Sequence, residues 1–250
     1  MLIDAILLPA AMAAAAGLVG CFALMRRMVL AGDALSHVAL PGIGIALALG
    51  IHPLFGALTM LFFGALLVWT LEDRTRIATE TIVGVIFSAA LAIGSLLTSG
   101  EDLIDALVGH ADVVPWPEAA FGLAATAVIV WFIVRRRHEL VLALVSRDIA
   151  RTAGINVRRL DLIYLEMFAL TVALGLRYLG ILLMGSLIII PAATAKRFSK
   201  DLTTMLVLAA ALGAGATILG SIVALWLHRD PGPIIVAIAA VGFLSTAFRG

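Results

Sequence analysis

From Leu202 to Leu227 the chain reads LTTMLVLAAALGAGATILGSIVALWL, without one Asp, Glu, Lys or Arg. A helix of roughly 20 predominantly apolar residues crosses the hydrocarbon core of a bilayer, and Gly is tolerated there because neighbouring helices re-satisfy the backbone. The apolar residues run continuously rather than alternating, which favours a helix over a barrel strand. Working outward, equally charge-free gaps occupy residues 34–71, 81–100, 119–134, 178–195 and 231–248. Over all 250 residues, 63% are hydrophobic and 13% charged, with a mean hydropathy of +1.15. That charge content is about half of what a soluble domain carries. A water-soluble globule and a disordered chain are both excluded. The expected fold is all-α: a polytopic transmembrane bundle of about eight to nine spans, forming one membrane domain over residues 1–250.

Dividing the chain at its charge clusters places spans near 3–25, 29–50, 54–71, 80–98, 118–134, 161–176, 178–195, 202–227 and 232–248. The Asp4-bearing stretch ahead of the first apolar run lacks Lys and Arg, so it reads as a retained span rather than a secretory signal. Threading the spans alternately puts fifteen of the 17 basic residues on one side, leaving only Arg177 and Arg229 on the other. Basic loops stay cytoplasmic, so the N-terminus is expected outside and the C-terminus inside. The outer side then carries Asp4, Glu101, Asp102, Asp105, Asp112, Glu118 and Asp230 with His52, His110 and His228. A solvated polar loop explains most of these without a role. Seventeen basic against sixteen acidic residues, with no aromatics among the basic clusters, disfavours nucleic acid. Cys21 is the single cysteine, and in its apolar run it reads as a small core residue.

Composition does not explain Asp33 and His37 inside the second span. Four residues apart, they share one helical face, and ionisable groups at membrane depth normally face a bundle interior or an aqueous path. A carboxylate and an imidazole suit Zn²⁺, Mn²⁺ or Fe²⁺, although a structural Asp–His hydrogen bond fits the spacing equally. Pro41-Gly42 follows at once, predicting a bend or break, and interrupted helices border substrate sites in transporters. Glu166 is the other acidic residue well inside a span; it either lines the same path or snorkels to the cytoplasmic surface. No His-Glu-x-x-His, Gly-x-Ser-x-Gly or phosphate-binding Gly-x-x-x-x-Gly-Lys motif occurs, and the only lysines are Lys196 and Lys200. Any ATP-driven role therefore needs another subunit. The long cytoplasmic segment 135–161 is where it would dock. Within that segment Ser146 to Gly154 reads as a two-turn helix with Ser146 as N-cap, Asp148 in the first turn and Gly154 as the stop. By itself this is also what an ordinary surface helix looks like.

Four stretches in order carry a resemblance: Gly32-Asp33-Ala-Leu-Ser36-His37-Val-Ala-Leu-Pro41-Gly42; Thr81-Ile-Val-Gly84-Val-Ile-Phe87-Ser88; Arg147-Asp148-Ile-Ala150-Arg-Thr-Ala-Gly154; and Gly180-Ile-Leu-Leu-Met-Gly185-Ser186-Leu-Ile-Ile-Ile-Pro191-Ala-Ala-Thr194-Ala195. Over nearly its full length the chain resembles the membrane-spanning permeases of zinc and manganese ABC importers. The resemblance implies that Asp33 and His37 form an intramembrane cation site, and that Arg147, Asp148, Ala150 and Gly154 belong to a coupling helix seated in an ATPase groove. Pro41, Gly42, Glu166 and Pro191 become candidate path or hinge residues. It implies alternating access in a multi-pass protein of the cell (inner, cytoplasmic) membrane, with no permanently bound cofactor. Zinc or manganese is the cargo, and ATP is held by a partner. The implied partners are a pair of ABC ATPase subunits, an extracytoplasmic metal-binding protein and a second permease copy. Segment 101–118, with Gly109-His110-Ala-Asp112, matches the family's usual loop less well. The rival readings are an ABC permease for a metal chelate, which needs a wider path, and an intramembrane metalloenzyme, which needs a third ligand.

Overall fold

The computed structural model describes residues 2–75, 77–97, 115–178 and 181–247. They form ten α-helices, and among the described residues no strand: α1 (Leu2–Met25), α2 (Ala31–Ala48), α3 (Pro53–Thr75), α4 (Thr79–Leu97), α5 (Trp116–Val145), α6 (Arg147–Thr152), α7 (Val157–Tyr178), α8 (Ile181–Phe198), α9 (Leu202–Leu227) and α10 (Pro231–Ala247). Nine long helices thus fall on the nine stretches expected from the charge gaps. Six of them, α1 to α5 and α9, are long and apolar enough to cross a membrane; α10 is a shorter apolar helix. Glu101, Asp102, Asp105, His110, Asp112, Arg76, Gly180 and Arg249 lie outside the described residues.

Small residues let the helices approach to backbone contact. Cβ atoms at Gly17 and Gly213 would run into the carbonyls of Ala209 and Ala13, so α1 and α9 lie antiparallel and very close. Gly42 and Gly56 bear the same relation between α2 and α3, where each faces the other's carbonyl oxygen. Membrane helices associate through such small-residue seams because lipid offers no hydrophobic drive to bring them together.

One end of the bundle collects the arginines and their counter-charges. Arg26 at the end of α1 meets Asp161 of α7 at 2.5 Å, Arg158 of α7 meets Asp73 of α3 at 3.0 Å, and the Trp69 indole donates to the Arg158 carbonyl at 2.9 Å. At the opposite end Arg177 of α7 grips Glu118 of α5 through both carboxylate oxygens, at 2.5 and 3.1 Å. The Tyr178 hydroxyl adds a hydrogen bond to the Glu118 carbonyl at 2.8 Å.

Two boundaries differ from the sequence expectation. α5 does not end near residue 134 but continues to Val145, 30 residues in all. At 1.5 Å per residue that is about 45 Å, some 15 Å beyond the hydrocarbon core. The reason is local: no Gly or Pro follows Gly122 in this helix, and Arg136 pairs with Glu139 one turn on, at 2.6 Å. Much of the expected 135–161 segment is therefore a rigid helical extension. α2, conversely, starts at Ala31 rather than near 29, because Arg27 takes a left-handed conformation (φ 58°) and the Met28 carbonyl accepts from Ala31.

Candidate functional site

Asp33 stands in the first turn of α2, where unpaired amides and the helix dipole favour a negative charge. It lies about 3 Å along the helix from Ala31, and His37 about 9 Å. Asp33 is exposed, whereas Gly32, Leu35 and Ser36 on the other faces of the same turns are buried. Leu30, Asp33 and His37, spaced three and four apart, therefore form a stripe that the other described residues leave exposed at Leu30 and Asp33 and half-cover at His37. Gly185 of α8 packs closely beside Asp33: a Cβ on that glycine would come within 3.1 Å of the Asp33 Cβ.

His37 is half-buried. Its ring meets Phe87 of α4 edge-on at 5.4 Å and 66°, and its Nδ1 is enclosed with no hydrogen-bond partner among the described residues. No hydrogen bond joins it to Asp33 among those residues, so the structural Asp–His pair that the spacing allowed is not formed. An enclosed, unsatisfied nitrogen costs about 1–3 kcal/mol, and such an exception calls for a functional reason. Pro41 adds a further acceptor. Having no N–H, it cannot donate to the carbonyl four residues earlier, which is that of His37. Among the described residues no group of three His, Cys, Asp or Glu side chains is placed to hold a metal ion. Among the described residues, Asp33 and His37 therefore share a face without a third such side chain beside them.

The candidate hinge residues Pro41, Gly42 and Pro191 lie within helices. α2 runs unbroken from Ala31 to Ala48 through Pro41 and Gly42, and α8 runs unbroken through Pro191. Pro41 and Gly42 are both buried, with Gly42 seated on α3. Of the bend or break expected after the pair, the break is not present: close neighbours on α3 and α4 hold the segment helical despite the proline. Glu166 is half-buried in the middle of α7. Phe168, two residues on, points toward Gly32, so Glu166 lies on the far side of α7 from the Asp33 helix. The structure does not bring it to the pair.

The short helix α6 follows its sequence signals closely. The Ser146 hydroxyl accepts from the Ile149 amide at 3.3 Å. At the other end Gly154 takes φ +80°, its amide donates to Arg151 and the Ile155 amide donates to Ala150, each at 3.0 Å, which is the glycine-terminated turn that stops helices. Replacing Ser146 by Ala should cost this helix about 1 kcal/mol, seen as faster hydrogen exchange of the Ile149 to Ala153 amides. Ala150 is fully buried within this chain, and the exposed residues of the turn are Arg147, Asp148, Ile149 and Arg151 to Gly154. Arg147 is itself more than half exposed, and its guanidinium reaches back to Glu72 of α3 and Asp161 of α7, each at 3.4 Å.

Sequence reasoning missed the roles of Phe87, Gly185, Arg26, Glu72 and Asp161. Phe87 and Gly185 lay within the quoted motifs, yet no spacing rule ties an aromatic on one helix to a histidine on another.

The family model described as "ABC 3 transport family" matches residues 1–250. The manganese import system permease protein ScaB of Streptococcus gordonii is 32% identical over 241 residues, covering 93% of this chain and 85% of its own length. The high-affinity zinc uptake system membrane protein ZnuB of Buchnera aphidicola is 30% identical over 235 residues, covering 91% and 90%. Among solved structures, PsaBC from Streptococcus pneumoniae in complex with Fab aligns with a TM-score of 0.82 at 28% identity, covering 96% of this chain and 88% of that one.

Proposed function

Because the chain belongs to the ABC 3 transport family, we propose that it is the membrane-spanning permease subunit of an ATP-driven importer whose cargo is zinc or manganese and whose gate-side ligands are Asp33 and His37. The observation that carries this is the enclosed Nδ1 of His37, which has no hydrogen-bond partner among the described residues and stands one helical turn from the exposed Asp33 on the same face of α2. The chain is a permease without an ATPase site of its own, and a separate subunit hydrolyses ATP.

The stripe suits a second copy. A divalent transition metal takes four or more ligands, and two chains facing across a two-fold axis would supply two carboxylates and two imidazoles, with the His37 carbonyls in reserve. The ion would exchange its water shell for these groups and give them up when the pair separates. In this reading residues 1–250 act as one membrane domain in the cytoplasmic membrane, with the arginine-rich end inside. An extracytoplasmic metal-binding protein would deliver the ion to the other end, near the Arg177–Glu118 clamp. On the inside, the extension of α5, the helix α6, the turn after it and the start of α7, together spanning 135–161, would rest on a pair of ATPase subunits, with Arg147, Asp148 and Gly154 at the contact and Ala150 packed beneath it. Closure of those subunits on ATP would tilt the helices and exchange inward for outward access.

Total metal in cells lacking the permease, measured by mass spectrometry with and without the gene restored, tests the function. Restored accumulation of zinc or manganese is expected; restoration of neither would overturn it. The coupling surface has its own test. Gly154→Arg should abolish co-purification of the ATPase and uptake, because the side chain projects from the outward turn and also strains a positive φ. Gly154→Asn separates the two effects, since Asn tolerates that conformation, and should remain near wild type.

A further inference from the structure

Resting on the transport reading above, we propose that Asp161 is a positioning residue for transport, tying the coupling helix α6 to the end of α1 that leads into the helix of the cation pair. Its carboxylate is nearly enclosed, with 13% of the side chain exposed, and it is shared. One oxygen holds Arg26 at 2.5 Å; the other holds Arg147, the first residue of α6, at 3.4 Å.

The two bonds differ in kind. Arg26 is 11% exposed, and its guanidinium lies over the Tyr164 ring at 4.4 Å, so that pair is a fixed part of the core. Arg147 is 56% exposed, makes only long contacts, and divides itself between Asp161 and Glu72. It is the partner that can move. Room for it exists in a cavity of about 330 Å³ bounded by Arg26, Met28, Glu72, Thr79, Arg147 and Asp161. Among the described residues, no other α6 side chain forms an ion pair with a long helix, since Arg151 pairs only with Asp148 of its own turn.

Behind Asp161 the contacts lead to the cation pair. Tyr164 receives Arg26 on its face and donates its hydroxyl to the Val19 carbonyl at 3.2 Å. Phe168 packs against Tyr164 at 6.3 Å, and its ring tip lies 3.6 Å from where a Gly32 Cβ would stand, next to Asp33. Arg26 itself is separated from α2 by a turn pinned through Met28 to Ala23 and Ala31 to Met28. A shift of α6 that makes or breaks Arg147–Asp161 is therefore delivered to rigid, packed parts on both sides of Asp33. Such a contiguous route becomes coupling only when energetic dependence between its members is measured.

The test is a double-mutant cycle in the assembled transporter, with permease, ATPase and binding protein in proteoliposomes, reading Mn²⁺ or Zn²⁺ moved per ATP hydrolysed. Arg147→Gln and Asp161→Asn are each expected to lower this ratio about tenfold, and the double variant no further than the lower single. A wild-type ratio in Asp161→Asn, or losses that multiply in the double variant, would overturn the inference. Should Asp161→Asn fail to assemble because Arg26 loses its counter-charge, Asp161→Glu replaces it in the cycle with the same outcomes, since it keeps the charge but moves the carboxylate by one methylene. Wild-type vesicles that hydrolyse ATP without moving either metal would overturn the transport reading and this inference together; a transporting wild type with an indifferent Asp161 overturns this one alone.

Discussion

Cells whose only copy of this permease carries Asp33→Asn or His37→Gln should accumulate zinc and manganese no faster than cells without it, while the amount of permease in the membrane is unchanged. Removing groups that merely support a metal ligand costs roughly 10–100-fold, and loss of a ligand is expected to cost no less. In a symmetric pair each substitution removes two ligands at once. Asp33→Asn keeps the side-chain volume and gives up a helix-dipole contribution of about 0.3–1 kcal/mol, too little to unfold a packed bundle. For His37 the stability change has a distinctive sign. His37→Leu removes an enclosed nitrogen without a hydrogen bond, so detergent-solubilised protein should be at least as heat-stable as wild type although uptake is lost. Wild-type metal accumulation in either variant, measured beside an immunoblot of membrane fractions, would remove the site from Asp33 and His37.

Gly42→Leu should have the largest structural effect of any single substitution considered. A Cβ at Gly42 meets the Gly56 carbonyl directly and the Met60 Cβ at 2.7 Å, so α2 and α3 cannot keep their distance. Backbone does not yield as a side-chain tip does. Overpacking a core costs about 1–3 kcal/mol even where side chains can shift, and this site should reach or exceed the upper figure. The expected result is loss of the monodisperse protein from detergent extracts, read by size-exclusion chromatography of a fluorescent fusion. Gly215→Leu is the matched control: nothing lies within 4 Å of its Cβ position, so the same residue change should leave the profile intact. Equal behaviour of the two variants would show that the α2–α3 seam is not close-packed.

Which parts of this were legible in the sequence follows from the range of each signal. The spans were legible because a bilayer demands some 20 apolar residues in succession, a property of the chain alone. The α6 helix was legible because Ser146 and Gly154 act on backbone within a few residues of themselves. The Asp33–His37 face was legible for the same local reason. The end of α5 was misplaced because a charge cluster marks where apolar surface stops, whereas the helix stops only where its hydrogen bonding does, at Val145. Of the bend or break expected at Pro41-Gly42, the break is absent. A proline removes one hydrogen bond, and the close seat of Gly42 on Gly56 holds the helix regardless.

The sequence by itself determined that the chain is a helical membrane protein, where its helices lie, which end gathers arginine, and that one carboxylate and one imidazole share a turn within a span. These rest on period, charge and neighbours along the chain. Only the tertiary structure decided that Asp33 is exposed beside Gly185, that His37 meets Phe87 edge-on with one enclosed nitrogen unpaired among the described residues, that Ala150 is buried while Arg147 reaches back to α3 and α7, and that Asp161 holds arginines from two distant parts of the chain. Each joins residues far apart in sequence, and in a bundle such meetings are fixed by how small-residue seams rotate whole helices against one another.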